Sequence, residues 1–304
     1  MIGKIVVVGS SNTDMILRCA HLPKPGETAS GNQFAMAGGG KGANQAVGAA
    51  RLGADVTFVA RLGRDWMGDQ AIAKYRAEGI DCSYIVRDAQ ASSGVALIMV
   101  DAAGENLIGV APGANATLLP QHVERAEPVF RSANVLLLQL EIPLETIAKA
   151  IGMADKWNIR VILNPAPARD LPNELLRDVM LTPNQTEAAY LAGMAVSTMS
   201  DVEQAAITIL NRGARAVVIT LGEQGAFIAT QTQRQAIPGF RVNAVDTTAA
   251  GDAFNAGVAV ALARGDALDS AVRYACAVGA LSVTQFGAQP SLPTLAAVES
   301  FLHD

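Results

Sequence analysis

The segment Val245-Asp246-Thr247-Thr248-Ala249-Ala250-Gly251-Asp252-Ala253-Phe254 concentrates the chemistry of this chain. Ala249, Ala250 and Gly251 carry no bulky side chain, and the Ala- and Val-rich stretch at 251–262 predicts a helix whose first amides lack intrahelical partners. Such amides attract an anion, above all a phosphate, because their N–H dipoles point toward it. Asp252, in the first turn, is placed to take a proton from a hydroxyl attacking that phosphate. The same carboxylate would also cap the helix, so the segment alone leaves both readings open.

Ala37-Gly38-Gly39-Gly40-Lys41-Gly42-Ala43-Asn44-Gln45-Ala46 is a second cluster. It departs from the phosphate-binding P-loop, since Gly42 stands where a Ser or Thr would hold magnesium, and it lacks the G-x-G-x-x-G spacing of a dinucleotide site. What remains is a loop whose amides can approach a small ligand, with Lys41 and Asn44 as donors, or a glycine turn that only starts a helix. A third cluster, Gly9-Ser10-Ser11-Asn12-Thr13-Asp14, follows the first apolar run. Ligands of open α/β sheets bind beyond the carboxyl ends of strands, where Asn12 and Asp14 would bracket adjacent hydroxyls. Glu141, after the run at 135–140, has the same placement. Each is a common turn former; together they read as a sugar site.

The elements that must position these groups follow from the apolar pattern. Short continuous runs at 5–8, 56–60, 135–140, 161–163 and 217–221 predict strands buried on both faces. Amphipathic stretches at 43–52, 69–78, 144–157, 187–192, 201–212 and 268–284 predict the helices between them. This alternation means an α/β chain with right-handed crossovers. Two alternating segments, 15–34 and 93–110, fall outside it and predict a small second sheet, a candidate lid. No repeat or low-complexity linker divides the chain, so one domain over 1–304 is expected, its lid segments spanning about 12–38 and 93–111.

Composition narrows the class. The 304 residues are half apolar, include 28 Gly and carry a formal net charge of −5, which argues against a nucleic-acid surface. Cys19, Cys82 and Cys276 are odd in number and lack metal spacing, which suits buried thiols in a reducing, cytoplasmic setting. The start, Met1-Ile2-Gly3-Lys4 and the apolar run after it, is too short for a signal peptide, and no run approaches membrane-spanning length. Asn115-Ala116-Thr117 and Asn184-Gln185-Thr186 fit the glycosylation sequon and are read as chance matches.

The ordered series formed by Gly39-Gly40-Lys41-Gly42-Ala43-Asn44-Gln45-Ala46-Val47, Leu163-Asn164-Pro165-Ala166-Pro167-Ala168, Thr182-Pro183-Asn184-Gln185-Thr186-Glu187 and the 246–252 run resembles the ribokinase family of carbohydrate kinases, of the phosphofructokinase-B type, along essentially the whole chain. That resemblance implies a three-layer α/β fold, a mostly parallel sheet with helices on both faces, plus a small β-sheet lid. It implies ATP-dependent transfer to the primary hydroxyl of a furanose sugar, giving D-ribose 5-phosphate from D-ribose. Asp252 then matches the base, and Ala249, Ala250 and Gly251 the anion hole. Asn12, Thr13, Asp14, Gly40, Lys41, Gly42, Ala43, Asn44 and Glu141 match sugar-binding positions. Asn184 and Glu187 match an N-x-x-E element that places magnesium, arriving with ATP, largely through water. The same pair also forms a capping box. Thr220, Leu221, Gly222, Glu223, Gln224 and Gly225, with Cys276, match the nucleotide side; an ordinary hairpin is the other reading of 220–225. Asp246, Thr248, Ser282, Gln285, Gly287 and Ser291 match a site for a monovalent activator, usually potassium. The resemblance also implies pairing into a homodimer through the lid, where Ala96, Ile98 and Ile108, with Met36 and Ala37, are the places for the sugar pocket to differ.

Relatives acting on deoxyribose or nucleosides share most of these motifs, so ribose is a preference. A sugar-binding protein without catalysis would lose the base or the anion hole, and both are present. A nicotinamide dehydrogenase is disfavoured by the spacing of Gly9-Ser10-Ser11-Asn12, and the scattered His21, His122 and His303 do not suggest a histidine-built metal centre.

Overall fold

The computed structural model describes residues 3–303. Met1 and Ile2, which open the start weighed above as a leader, lie outside the described residues. Thirteen strands and ten α-helices follow one another among the described residues. They are β1 (Lys4–Val8), β2 (Asn12–Cys19), β3 (Gly31–Gly39), α1 (Lys41–Arg51), β4 (Asp55–Gly63), α2 (Trp66–Ala77), β5 (Ile85–Asp88), β6 (Gly94–Val100) and β7 (Asn106–Ala111). Then come α3 (Pro120–Arg125), α4 (Glu127–Phe130), β8 (Val135–Leu138), α5 (Leu144–Lys156), β9 (Arg160–Leu163), β10 (Met180–Leu181), α6 (Gln185–Ala192) and α7 (Met199–Asn211). The chain ends with β11 (Ala216–Thr220), β12 (Ala226–Thr230), β13 (Arg234–Ile237), α8 (Ala250–Arg264), α9 (Leu268–Ser282) and α10 (Leu295–His303).

Nine strands form the main sheet in the order β13-β12-β11-β10-β9-β8-β1-β4-β5. Every pairing from β11 to β5 is parallel; β12 and β13 add an antiparallel edge. Why the parallel strands read as unbroken apolar runs is visible in β1. Ile5 and Val7 enter a core shared with α1, α8, α9 and α10, while Val6 and Val8 enter a second core shared with α3, α5, α6 and α7. A sheet covered on both faces leaves no polar register, and the expected three layers result.

The segments expected to form a lid do form a separate four-stranded sheet, in the order β3-β2-β6-β7. Its register sets Asp14 and Ile16 on one face with Ala37 of β3, Ala96 and Ile98 of β6, and Ile108 and Val110 of β7. Met36, by contrast, shares the other face with Thr13 and Met15. Ile108 is 53% exposed and Val110 57%, so an apolar face stands open to solvent.

Several boundaries differ from expectation for physical reasons. The run at 135–140 stops being a strand at Leu138, because Gln139 turns its side chain inward and Leu140 donates its amide to the Ala166 carbonyl. The two-residue strand β10 is too short to show a period, and the polar edge strand β13 shows no apolar alternation. Asn115 is 2% exposed, with its amide nitrogen and oxygen both bonded inside the fold, which leaves no free acceptor for a glycan.

Candidate active site

Asn12 and Asp14 (β2), Lys41 and Asn44 (α1), Glu141 (after β8) and Asp252 (α8) converge beyond the carboxyl ends of β1 and β8. Gly40 makes that convergence possible. It caps α1 at φ 85°, and a Cβ there would stand 2.7 Å from the Asn12 amide nitrogen. The turn delivers Lys41 to Glu141, whose Oε2 accepts from the Lys41 amide at 3.0 Å and from Ser10 Oγ at 2.5 Å. Asn115 Nδ2 donates to Asn12 Oδ1 at 2.7 Å, which fixes the Asn12 amide with its nitrogen outward.

Helices α1 and α8 meet at Gly48, where a Cβ would come within 2.8 Å of Ala256 Cβ. One turn earlier in both helices, Asn44 Nδ2 donates to Asp252 Oδ2 at 2.8 Å and Gln45 Nε2 to Asp252 Oδ1 at 2.9 Å. Asp252 is only 5% exposed. Burial pushes its carboxyl above the usual range, with Lys41, Asn44 and Gln45 opposing and Glu141 adding to the rise. Burial likewise raises Asp14, with help from Glu141 and Asp252, to about 6. Lys41 is subject to the opposite balance: burial would lower it, but Asp252, Glu141 and Glu187 together raise it. Four carboxyl groups, Asp14, Glu141, Glu187 and Asp252, thus surround one ammonium. The cluster's polar groups are incompletely satisfied: Asn44 Oδ1 is buried without a partner, and Asp14 accepts no side-chain hydrogen bond among the described residues.

Above Asp252 lies the predicted anion site. Ala249 adopts φ 61°, a left-handed conformation uncommon for alanine. It turns the chain into α8 so that the amides of Ala249, Gly251 and Asp252 make no main-chain hydrogen bond among the described residues. The Ala250 amide is the exception, donating to the Thr247 carbonyl at 3.2 Å. Space beside Gly251 is open: a Cβ there would meet nothing within 4 Å.

Asn184 and Glu187 form the capping box at the start of α6, each side chain accepting from the other's amide, at 2.8 and 2.9 Å. One Glu187 oxygen is left over, and burial raises its carboxyl, against the Asn184 amide bond and Lys41 and together with Asp252. Thr220 pairs as an isolated bridge with Asn184, and 222–224 form a short 3-10 turn, which brings this hairpin beside α6. Gly225 lies against Ile237 and Gly239, so part of its requirement is packing. Cys276 lies on α9, buried, its thiol pushed up to about 11 by burial against an opposing Arg273.

Asp246 sits at the turn before α8. Its Oδ1 accepts from the Thr248 amide and hydroxyl at 2.9 and 2.6 Å, and its Oδ2 from the Gly287 amide at 2.9 Å. Ser282 Oγ and Ser291 Oγ donate to the Gly279 and Ala288 carbonyls. Main-chain carbonyls of Asp246, Thr248, Gln285 and Gly287 accept no main-chain bond among the described residues.

Thr13 alternates to the face of β2 opposite Asp14 and lines, with Asn12, Met36, Gly38 and Tyr75, a cavity of about 100 Å³ behind the lid. Ser10, Gln45, Gln139, Asn164 and Asn255 lie in or behind the cluster without having been singled out; Ser10, Gln45 and Asn164 were legible only as parts of longer motifs.

With that geometry established, a model of the "pfkB family carbohydrate kinase" matches residues 3–295. A ribokinase of Haemophilus influenzae is 42% identical over 299 residues, covering 98% of both chains. The deoxyribokinase of Salmonella typhi is 38% identical over 300 residues, again covering 98% of both. Among solved structures, Arabidopsis thaliana ribokinase complexed with ribose and ATP superposes with a TM-score of 0.93 at 34% identity, covering 100% of each chain.

Proposed function

Because the chain belongs to the pfkB family of carbohydrate kinases, we propose that it phosphorylates the 5-hydroxyl of D-ribose with ATP, giving D-ribose 5-phosphate and ADP. The observation that carries this reading is a buried carboxylate, Asp252, held beside unpaired amides at the start of α8, with unsatisfied polar groups facing it. A base, a phosphoryl cradle and sockets for hydroxyls are what phosphoryl transfer to a sugar requires.

Asn12 Nδ2, Asp14, Lys41, Asn44 and Glu141 hold the sugar hydroxyls, and Gly40, Gly42 and Ala43 bring the main chain of the loop close to it. Asn44 Oδ1 accepts from a hydroxyl, which relieves its unpaired burial. Asp252 accepts the 5-hydroxyl proton as the bond to phosphorus forms. The free amides of Ala249, Gly251 and Asp252 face charge on the transferred phosphoryl group, while Ala250 supplies the tight turn. Residues 220–225 and α9, with Cys276, border the nucleotide. Magnesium, when bound with ATP, neutralises phosphate charge. The spare Glu187 oxygen fits an outer-sphere role toward its waters, whereas Asn184 Oδ1 is committed to the cap.

The open carbonyls near Asp246 fit a weakly hydrated monovalent cation, and Asp246 ties the 282–291 loop to the turn that shapes the amides. Replacing potassium with tetramethylammonium should therefore lower turnover. We further read the chain as one domain working in the cytoplasm as a homodimer, in which the exposed lid face of Ile108 and Val110 meets its copy. No helix among the described residues is long and apolar enough to cross a membrane.

Identification of the product by phosphorus NMR tests the reaction: phosphate coupled to the C5 protons of ribose is expected, and binding of ribose without ADP release would instead favour a sugar-binding protein.

A further inference from the structure

Asp252 is gripped at both carboxylate oxygens, and only one grip is open to a ligand. Asn44 holds Oδ2 and keeps its own Oδ1 free. Gln45 holds Oδ1 from a fully buried position, 0% exposed, where no sugar can touch it. Since a carboxylate only accepts, the Gln45 amide must present its nitrogen to Asp252 and its oxygen elsewhere. Gln139 Nε2 takes that oxygen at 2.6 Å, and Gln45 Nε2 also reaches Asn164 Oδ1 at 3.2 Å.

The contacts then run back toward α8. Asn164 Nδ2 donates to the Thr182 carbonyl at 3.2 Å, Thr182 Oγ1 to Asn255 Oδ1 at 2.6 Å, and Asn255 Nδ2 to the Gly251 carbonyl at 2.8 Å. This last carbonyl belongs to the same peptide unit as the unpaired Asp252 amide. Gln45, Gln139, Asn164, Thr182 and Asn255 are all buried, so their bonds are not shared with bulk water.

We propose that Gln45 is a positioning residue for phosphoryl transfer: it locks the Asp252 carboxylate in one orientation and, through Asn164, Thr182 and Asn255, fixes it relative to the peptide plane of the anion site. The role rests on the kinase reading above. Loss of the Gln45 amide frees the carboxylate to rotate and removes one of two donors stabilising its charge. Reaction geometry suffers while the groups that hold the sugar remain.

The test compares Gln45→Leu and the isosteric Gln45→Glu with the unaltered chain, using D-ribose and MgATP. For Gln45→Leu, kcat should fall about 10- to 100-fold while KM for ribose changes less than about threefold. The acid limb of the kcat profile should rise by about one pH unit, the effect of one lost hydrogen bond to a charged group. Gln45→Glu sets a second carboxylate against Asp252 and should move the limb further. The Asp252 carboxyl titration, followed by NMR of 13C-labelled aspartate, should move in parallel without any turnover being needed.

Folded variants with the parental acid limb and kcat would overturn the proposal, and where Gln45→Leu does not fold, Gln45→Glu decides by the same readouts. Should the unaltered chain phosphorylate no sugar, the kinase reading falls; an upward-moved Asp252 titration would still support the Gln45 hold, and an unmoved one would end it.

Discussion

Replacing Asp14 with Asn should stabilise the ligand-free protein at neutral pH even as it weakens sugar binding. Asp14 is confined by burial and faces the charges of Glu141 and Asp252, which lifts its carboxyl from 3.8 to about 6. A proton is therefore held more tightly in the folded chain than in the unfolded one. That contribution is full below about pH 4 and is lost as pH rises through about 6. The interval corresponds to about 3 kcal/mol, and the partial exposure of the carboxyl to water reduces it to about 2 kcal/mol. Urea unfolding of both proteins from pH 4.5 to 8 isolates the group, because other titrations cancel in the difference. The variant should be more stable by about 2 kcal/mol at pH 8, the gap closing toward pH 4.5. A gap that does not change with pH, or a parent more stable at pH 8, would refute the reasoning. Ribose binding should reverse the order, since the parent carboxylate accepts at both oxygens with a full negative charge, whereas an asparagine side chain accepts at only one.

Three other outcomes follow from the same geometry. Asp252→Asn should keep ribose affinity within a few-fold and lower kcat about 10²- to 10⁴-fold, measured by coupled ADP release; in the parent, activity should fall as pH drops through a limb above the ordinary carboxylate range, because burial raises Asp252. Gly48→Val should force α1 from α8 at the 2.8 Å approach to Ala256, losing about 1–3 kcal/mol in urea unfolding and lowering kcat per folded molecule. Ile108→Asp places a charge on the open lid face; if the proposed lid pairing holds, light scattering should show a dimer for the parent and a monomer for the variant, with a raised KM for ribose.

Much of this architecture was legible because burial on both faces leaves a plain apolar record. β1 and β4 appeared as runs, and the lid appeared as alternation outside them. Asp252 stood out because small residues before a helix and one carboxylate in its first turn offer amides and a base together, although a helix cap fits the same pattern. Asn12, Thr13 and Asp14 were read as one group, yet adjacent residues of a strand face opposite ways, and sequence spacing does not say which side chains lie together. Gln45 escaped for a related reason: it follows Asn44 directly in α1, and both residues reach Asp252 only because Gly48 and Ala256 let two helices touch. A contact between residues 207 positions apart has no local signature. Asn115 looked like a chance sequon, yet it holds Asn12 through a contact that spans 103 positions.

Relatives at similar distance are named both ribokinase and deoxyribokinase, so the central claim is the acceptor. The direct measurement is competition between D-ribose and 2-deoxy-D-ribose for MgATP-dependent phosphorylation by the purified protein in potassium buffer, read as the ratio of kcat/KM. A ratio favouring ribose, with ribose 5-phosphate as product, is the expected result; a ratio favouring 2-deoxyribose would contradict the account while leaving the site chemistry in place.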